Sequence, residues 1–317
     1  VQSDKQPGDY AAIAATAEDY GLDVVSVYGD LMYQPPLGPL LEMATATARI
    51  RLGPACLNPY SMHPYEIAGQ VATLDAVSQG RAYLGLARGA WLGSVGIDQP
   101  DPIDHLADAA EIVARLLRGD DSGYAGAAFT LAPGARLAYT PWRKRVPLLM
   151  GTWGPRTLAL AAEIADEVKI GGSASPAIVP WARDRLGDTG REVGIVIGAV
   201  SVIDEDAGMA RRRARSEVAP YVAVVAHLDP TATIDPDLVA SLEAQLQRGD
   251  AAAAGALLPD DVFDRFAFAG TPADVAEQVN AVFDAGASRV ELGTPHGLST
   301  SSGLELIGRH VLPMVEG

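Results

Sequence analysis

The chain has 317 residues, of which 48% are hydrophobic and one is cysteine. That apolar content can build a large core, and the single cysteine excludes both an internal disulfide framework and a cysteine-rich zinc site. A formal net charge of −16 repels nucleic acid and anionic lipid, so the expected partner is a small ligand.

The amino end, VQSDKQPGDY, lacks the basic and apolar parts of a secretion signal, and no run of about 18 apolar residues follows for a membrane span. A cytoplasmic location and a short strand at 1–3 are therefore expected. Residues 8–20 read as a helix, with Ile13, Ala14 and Ala17 on one face, and DVVSVY (23–28) as a strand. A helix over 39–48 and a strand over 50–56 follow. Pro64 suits the first position of a helix over 64–77. Strand 82–86 and the amphipathic helix 104–117 come next, then an irregular or hairpin-like stretch over 119–146. The alternation resumes with strand 146–150, helix 155–164, strand 167–170, helix 176–186 and strand 194–202. A long helical region covers 207–255, then helix 271–285, strand 289–292 and helix 302–311.

Eight parallel strands alternating with helices predict an α/β fold, a (β/α)₈ TIM barrel. No G-x-G-x-x-G follows the first strand, which weighs against a dinucleotide-binding sheet. No linker or repeat divides the chain, so one domain over 1–317 is expected, with insertions at 119–146 and 225–265. A barrel carries its site at the carboxyl ends of its strands.

Those ends are unusually poor in bulk. LGPACLNP (52–59) closes one strand with Ala55 and Cys56 between prolines, either a slot for a flat ligand or an ordinary proline-rich turn. AYLGLARGAWLG (82–93) brings Gly85, Ala87, Arg88, Gly89 and Ala90 to the next strand end; glycine in a strand often marks close approach of a ligand or backbone. LLMGTWGPRT (148–157) runs from a strand into a helix start with Trp153, Gly154, Arg156 and Thr157. Free amides there suit a phosphate, although a plain Gly-Pro helix start reads the same way. KIGGSAS (169–175) adds Gly171 and Gly172, and its Lys169 either reaches that anion or flanks the barrel.

Four longer stretches carry a resemblance: AEDYGLDVVSVYGD (17–30), the run from TATARIRLGPACLNP to GLARGAW (45–91), MGTWGPRTLALAAEIAD (150–166) and FAFAGTPADVAEQVNAVFDAGASRVELG (266–293). In these the chain resembles the bacterial-luciferase-like (LLM) superfamily of flavin- and deazaflavin-dependent oxidoreductases, above all the branch of F420-dependent methylenetetrahydromethanopterin reductase. The resemblance implies a luciferase-like barrel that binds coenzyme F420, with FMN as the alternative. It also implies hydride transfer from the reduced deazaflavin to an electron-poor C=C or C=N bond of a small molecule or modified peptide. In that family a non-proline cis peptide backs the central ring of the cofactor, and here it falls between Ala55 and Cys56. Asp30 matches a cofactor-contacting aspartate, Ala87 to Ala90 the ring lining, and Trp153, Gly154, Arg156 and Thr157 the phosphate segment. Leu31 stands where F420 enzymes often have histidine. The glutamate and threonine of the sugar-phosphate dehydrogenase branch are absent at Ala90 and near Gly171. The rival readings are an FMN-dependent two-component monooxygenase and a non-catalytic flavin-binding protein. A homodimer is the oligomer to test for.

No side chain stands out as the proton donor. His63 and Tyr60 are the candidates: His63 either caps the helix after it or donates a proton, and Tyr60 either donates from the mouth or packs under a loop. Cys56 reads as chosen for size, His296 as a loop histidine or a mouth residue, and Glu291 as a buried partner of an arginine or a catalytic group. His105, His227 and His310 read as surface residues without metal-ligand spacing. Arg143, Lys144 and Arg145, and likewise Arg211, Arg212, Arg213 and Arg215, read as solvated faces.

Overall fold

Short buried strands alternate with helices throughout residues 1–316, which a computed structural model describes. These residues form two compact units, one made of Val1–Thr152 and Ala159–Val168, the other of Trp153–Leu158 and the chain from Lys169 onward.

The first unit opens without the strand expected at 1–3. Those residues instead hydrogen-bond along the first true strand: the Val1 amino group donates to Ser26 O (2.5 Å) and Tyr28 N donates to Val1 O (3.0 Å). Its elements are α1 (Asp9–Asp19), β1 (Val24–Val27), α2 (Leu37–Ala46), β2 (Arg51–Pro54), α3 (Pro64–Val77), β3 (Leu84–Ala87), α4 (Pro102–Arg118), the hairpin β4 (Tyr124–Ala125) with β5 (Thr130–Leu131), and β6 (Leu148–Gly151). β1 pairs in parallel with β2, Val25 opposite Leu52, and β3 with β6, Leu86 opposite Met150. Leu52 and Leu86 are fully buried, each contributing about 1.5–3 kcal/mol of hydrophobic stabilisation. α4 is the clearest amphipath: Leu106, Ala109, Ile112, Val113, Leu116 and Leu117 are its buried stripe, at the spacing that puts apolar residues on one helical face.

Arg143 is not part of a solvated patch. Its guanidinium grips the buried carboxylate of Asp75 through Nε (3.0 and 3.1 Å) and also donates to Ala82 O (2.7 Å). A fully desolvated aspartate in α3 needs such a partner, and neither charge pattern nor spacing announces a partner 68 residues away.

α5 (Pro155–Ile164) and β7 (Glu167–Gly171) contribute residues to both units. The second unit continues with α6 (Ile178–Leu186), β8 (Gly194–Ile203), α7 (Ala207–Val225), α8 (Pro236–Gln247), α9 (Ala251–Ala256), α10 (Asp260–Phe263), β9 (Ala267–Gly270), α11 (Pro272–Asp284), β10 (Arg289–Gly297) and α12 (Thr300–Leu306). β8 pairs in parallel with β9, Val200 opposite Ala267, and with β10, Val196 opposite Arg289. β9 has no counterpart in the sequence reading, because AFAG is buried at all four positions and so shows no alternation. The helical region expected over 207–255 breaks into α7, α8 and α9, with Asp206, Asp235 and Asp250 each capping a new start through a side-chain oxygen. Short polar side chains at these positions take up amide donors that a helix start leaves unpaired.

Arg211 and Arg215 also leave the solvated face assigned to them. Arg211 pairs with Asp260 (2.9 Å) and Asp264 (2.7 Å), Arg215 donates to Leu258 O and Asp260, and both guanidiniums lie over the Phe263 ring. They clamp α7 onto α10 by charge and cation–π contact. Arg213 pairs with Glu217 one turn on, at the surface.

Candidate functional site

The carboxyl end of β2 is built by close packing of the protein on itself. The Ala55–Cys56 peptide bond is cis, at the position the resemblance implied. Ala55 N donates to Val27 O (2.8 Å), and Leu57 N then rejoins β3 at Gly85 O (2.9 Å). A Cβ on Gly85 would lie 2.1 Å from Pro54 O, one on Gly151 2.9 Å from Cys56 Sγ, and one on Gly29 2.2 Å from Cys56 O. These three positions are therefore bare because Pro54 and Cys56 press on them, which revises the reading of Gly85 as room for a ligand. Asp30 is the residue that follows Gly29 in the chain. The side chains that remain part-exposed here are Asp30, Ala55, Cys56 and Ala87.

Beyond Ala87 the chain turns outward. Gly89 has φ +89, a conformation that favours glycine, and a Cβ there would press on Asn58. Arg88 and Ala90 are exposed. Gln99 Nε2 donates to the carbonyls of Arg88 (2.5 Å) and Gly89 (3.1 Å), and the Tyr60 hydroxyl donates to Pro100 O (2.6 Å). Tyr60 therefore packs under the 88–101 loop, and burial raises its pKa while the nearby Arg88 lowers it and Asp101 raises it. His63 is the N-cap of α3: its Nδ1 accepts from Tyr65 N at 3.1 Å. The Tyr60 proton is thus engaged on Pro100 O, while a neutral His63 whose Nδ1 accepts carries its proton on Nε2.

His105 is not a plain surface residue. Its ring stacks on Tyr60 at 4.4 Å and meets Phe129 edge-on at 5.3 Å, and Phe129 meets His63 edge-on at 5.4 Å. The hairpin that delivers Phe129 is held by the buried Asp108, which accepts from Tyr124 Oη (2.7 Å), Ala128 N (2.7 Å) and Phe129 N (2.9 Å). Burial acts to raise the Asp108 pKa, but these hydrogen bonds outweigh it and hold the carboxyl below its ordinary value. Tyr124 is pushed up to about 12, first by its bond to Asp108 and then by burial. Sequence reading missed Asn58, Gln99, Asp108 and Phe129. Only Asn58 left a signal: set between Leu57 and Pro59, its side chain turns the loop by accepting from Tyr60 N and Ser61 N, as asparagine commonly does.

In the second unit, Trp153 Nε1 donates to Gly171 O (2.8 Å), joining two of the predicted segments. Gly154 O accepts from Leu158 N (3.0 Å), which opens α5. Arg156 is exposed in that first turn, with Thr157 half-buried behind it. Gly172 N and Ser173 N both donate to Gly198 O (2.7 and 3.1 Å), fixing the end of β7 on β8, and Gly172 takes φ +78 there.

Lys169 and Glu291 are partners: Nζ donates to Oε1 at 2.6 Å, with side-chain exposures of 9% and 14%. Burial acts to raise the Glu291 pKa, but Lys169 and then Arg289 draw it down to about 2. His296 lies inside β10 and not in a loop, 4% exposed, with φ 75 just after the cis Thr294–Pro295 bond. Among the described residues, no helix is long and apolar enough to cross a membrane, and no group of three or more His, Cys, Asp or Glu could hold a metal ion.

The family described as luciferase-like monooxygenase matches residues 2–289. The 5,10-methylenetetrahydromethanopterin reductase of Archaeoglobus fulgidus is 30% identical over 317 aligned residues, covering 95% of this chain and 93% of the relative. That of Methanopyrus kandleri is 27% identical, covering 98% and 95%. Among solved structures, the coenzyme F420 dependent tetrahydromethanopterin reductase of Methanopyrus kandleri superposes with a TM-score of 0.89 at 26% identity, over 100% of this chain and 98% of that one. The fold class is thus α/β, the luciferase-like TIM barrel expected from the eight strands.

Proposed function

The chain belongs to the luciferase-like monooxygenase family, and from that premise we propose that it is an F420H2-dependent reductase of an electron-poor C=N or C=C bond in a small molecule or modified peptide. The observation that carries this reading is the end-to-end likeness, in sequence and backbone, to reductases of a methylene-bridged tetrahydropterin.

Each unit by itself carries residues that suit one part of the cofactor. In the first unit, Ala55, Cys56 and Ala87 offer only methyl- and thiol-sized side chains, which suits a flat tricyclic ring, and we assign Asp30, Arg88, Gly89 and Ala90 to its surroundings by the resemblance. In the second, Arg156 is exposed and makes no ion pair among the described residues. With Thr157, Gly154 and the amides that start α5 it suits a phosphate, flanked by Trp153, Gly171 and Gly172. When bound, the reduced deazaflavin supplies the hydride. The chain's own part is to hold the ring against small side chains, fix the phosphate and orient the acceptor. With the Tyr60 proton engaged on Pro100 O, we assign the proton that completes the reduction to solvent.

The test is a fluorescence titration with F420 and with FMN, followed by turnover of F420H2 with methylenetetrahydromethanopterin and with simple enones. Tight F420 binding, weak FMN binding and reduction of either acceptor are expected. Tighter FMN binding with oxygen-dependent turnover would transfer the chain to the monooxygenases.

A further inference from the structure

We propose that the four-ring row Tyr60, His105, Phe129 and His63 selects the acceptor, favouring a double bond that carries a planar conjugated substituent, and that Asp108 is the positioning residue that holds the row in place. The proposal rests on the reductase reading above.

The row stands where a substrate-facing wall would be useful. Tyr60 lies in the loop after β2, six residues beyond its last residue Pro54, and its hydroxyl is fastened to Pro100 O, next to the Gln99 that holds the carbonyls of Arg88 and Gly89. The wall is thereby tied to the same strand-end segments that carry Ala55, Cys56 and Ala87. Its rings are not core: Tyr60, His105 and Phe129 are part-exposed and His63 is exposed. Four rings in edge or stacked contact, half open to solvent, are more than a loop needs in order to fold.

The way Phe129 is delivered is also specific. Asp108 is 5% exposed and spends three acceptor contacts on the hairpin, at Tyr124 Oη, Ala128 N and Phe129 N. A Cβ on Gly126 would lie 2.2 Å from its Oδ2, so the tip closes directly over the carboxylate. The result is a short hairpin whose apolar tip residue is fixed between two histidine rings. Planar groups lie favourably against such rings beyond what area burial alone gives, while a saturated substituent gains only the burial.

The test compares benzylideneacetone with ethylideneacetone, the same enone bearing phenyl or methyl, as acceptors for F420H2. Wild type should prefer the phenyl acceptor. Phe129→Ala should raise KM for it roughly 10-fold, leaving kcat, F420 affinity and the methyl acceptor within about twofold, and Phe129→Leu should not restore the preference. Asp108→Asn should move KM in the same direction, again sparing kcat. Equal effects on both acceptors would reduce the row to a structural part and overturn the proposal. So would a wild type that binds F420 and shows no preference, or reduces neither enone. Failure of wild type to bind F420 would instead remove the reductase reading itself.

Discussion

Tyr124 donates its phenolic proton to Asp108 across 2.7 Å, and the pair sets opposite limits on the pH range in which the hairpin is held. Asp108 titrates below its ordinary value, so its contribution is full above about pH 4 and is lost as pH falls through the lowered pKa. Tyr124, raised to about 12, contributes fully below its ordinary value near 10 and loses that contribution as pH rises toward 12. Proteolytic cleavage in 124–131 should accelerate below about pH 4 in wild type, and already be fast at neutral pH in Asp108→Ala. A hairpin equally protected at both pH values would contradict the assignment.

Gly85→Ala should cost the fold more than a typical surface change. The added methyl would sit 2.1 Å from Pro54 O, a backbone atom that cannot swing away. Overpacking of this kind costs about 1–3 kcal/mol or more. Urea unfolding should show a lower midpoint with an unchanged slope, and Gly38→Ala, where nothing lies within 4 Å, is the control.

Arg143→Ala leaves the Asp75 carboxylate buried without its guanidinium. Stripping one partner from such a pair costs on the order of 3–5 kcal/mol, discounted here because Arg143 itself is about one-third exposed. Arg145→Ala removes a far more exposed pair with Asp166 and should cost under about 1 kcal/mol. Thermal unfolding of the two variants separates the cases, and equal shifts would refute the distinction.

Lys169→Met should be among the most destabilising changes in the second unit, by about 3–5 kcal/mol, because Glu291 stays behind in a nearly closed site. Glu291 is held near 2, so its contribution is complete above about pH 4.5 and is lost as pH falls toward that value. Acid unfolding of Glu291→Gln should therefore show a shallower pH dependence than wild type below about pH 4.5.

Arg156→Ala should leave the unfolding midpoint where it is, since the side chain is exposed and has no ion-pair partner among the described residues. Affinity for F420 should fall about 10- to 100-fold, the scale of one charge-assisted hydrogen bond to an anion. Titration with F420 reads this directly. Unchanged affinity would move the phosphate elsewhere.

What was legible in the sequence was local in origin. α3 followed from Pro64 at its first position, α4 from the apolar stripe between Leu106 and Leu117, and the βα alternation from the spacing of short apolar runs. The position of the cis bond came from the match of LGPACLNP to a family pattern. β9 stayed hidden because a short strand buried on both faces has no period to detect. The remaining features depend on residues far apart in the chain. Cys56 presses on Gly85 and Gly151, Arg143 reaches Asp75, Lys169 meets Glu291 across 122 positions, and Asp108 gathers a hairpin tip up to 21 residues on. A sequence shows which residues are small, charged or aromatic. Only the folded chain decides which carboxylate loses its water and which cation answers it, because desolvation is a property of the packed neighbourhood and not of the residue.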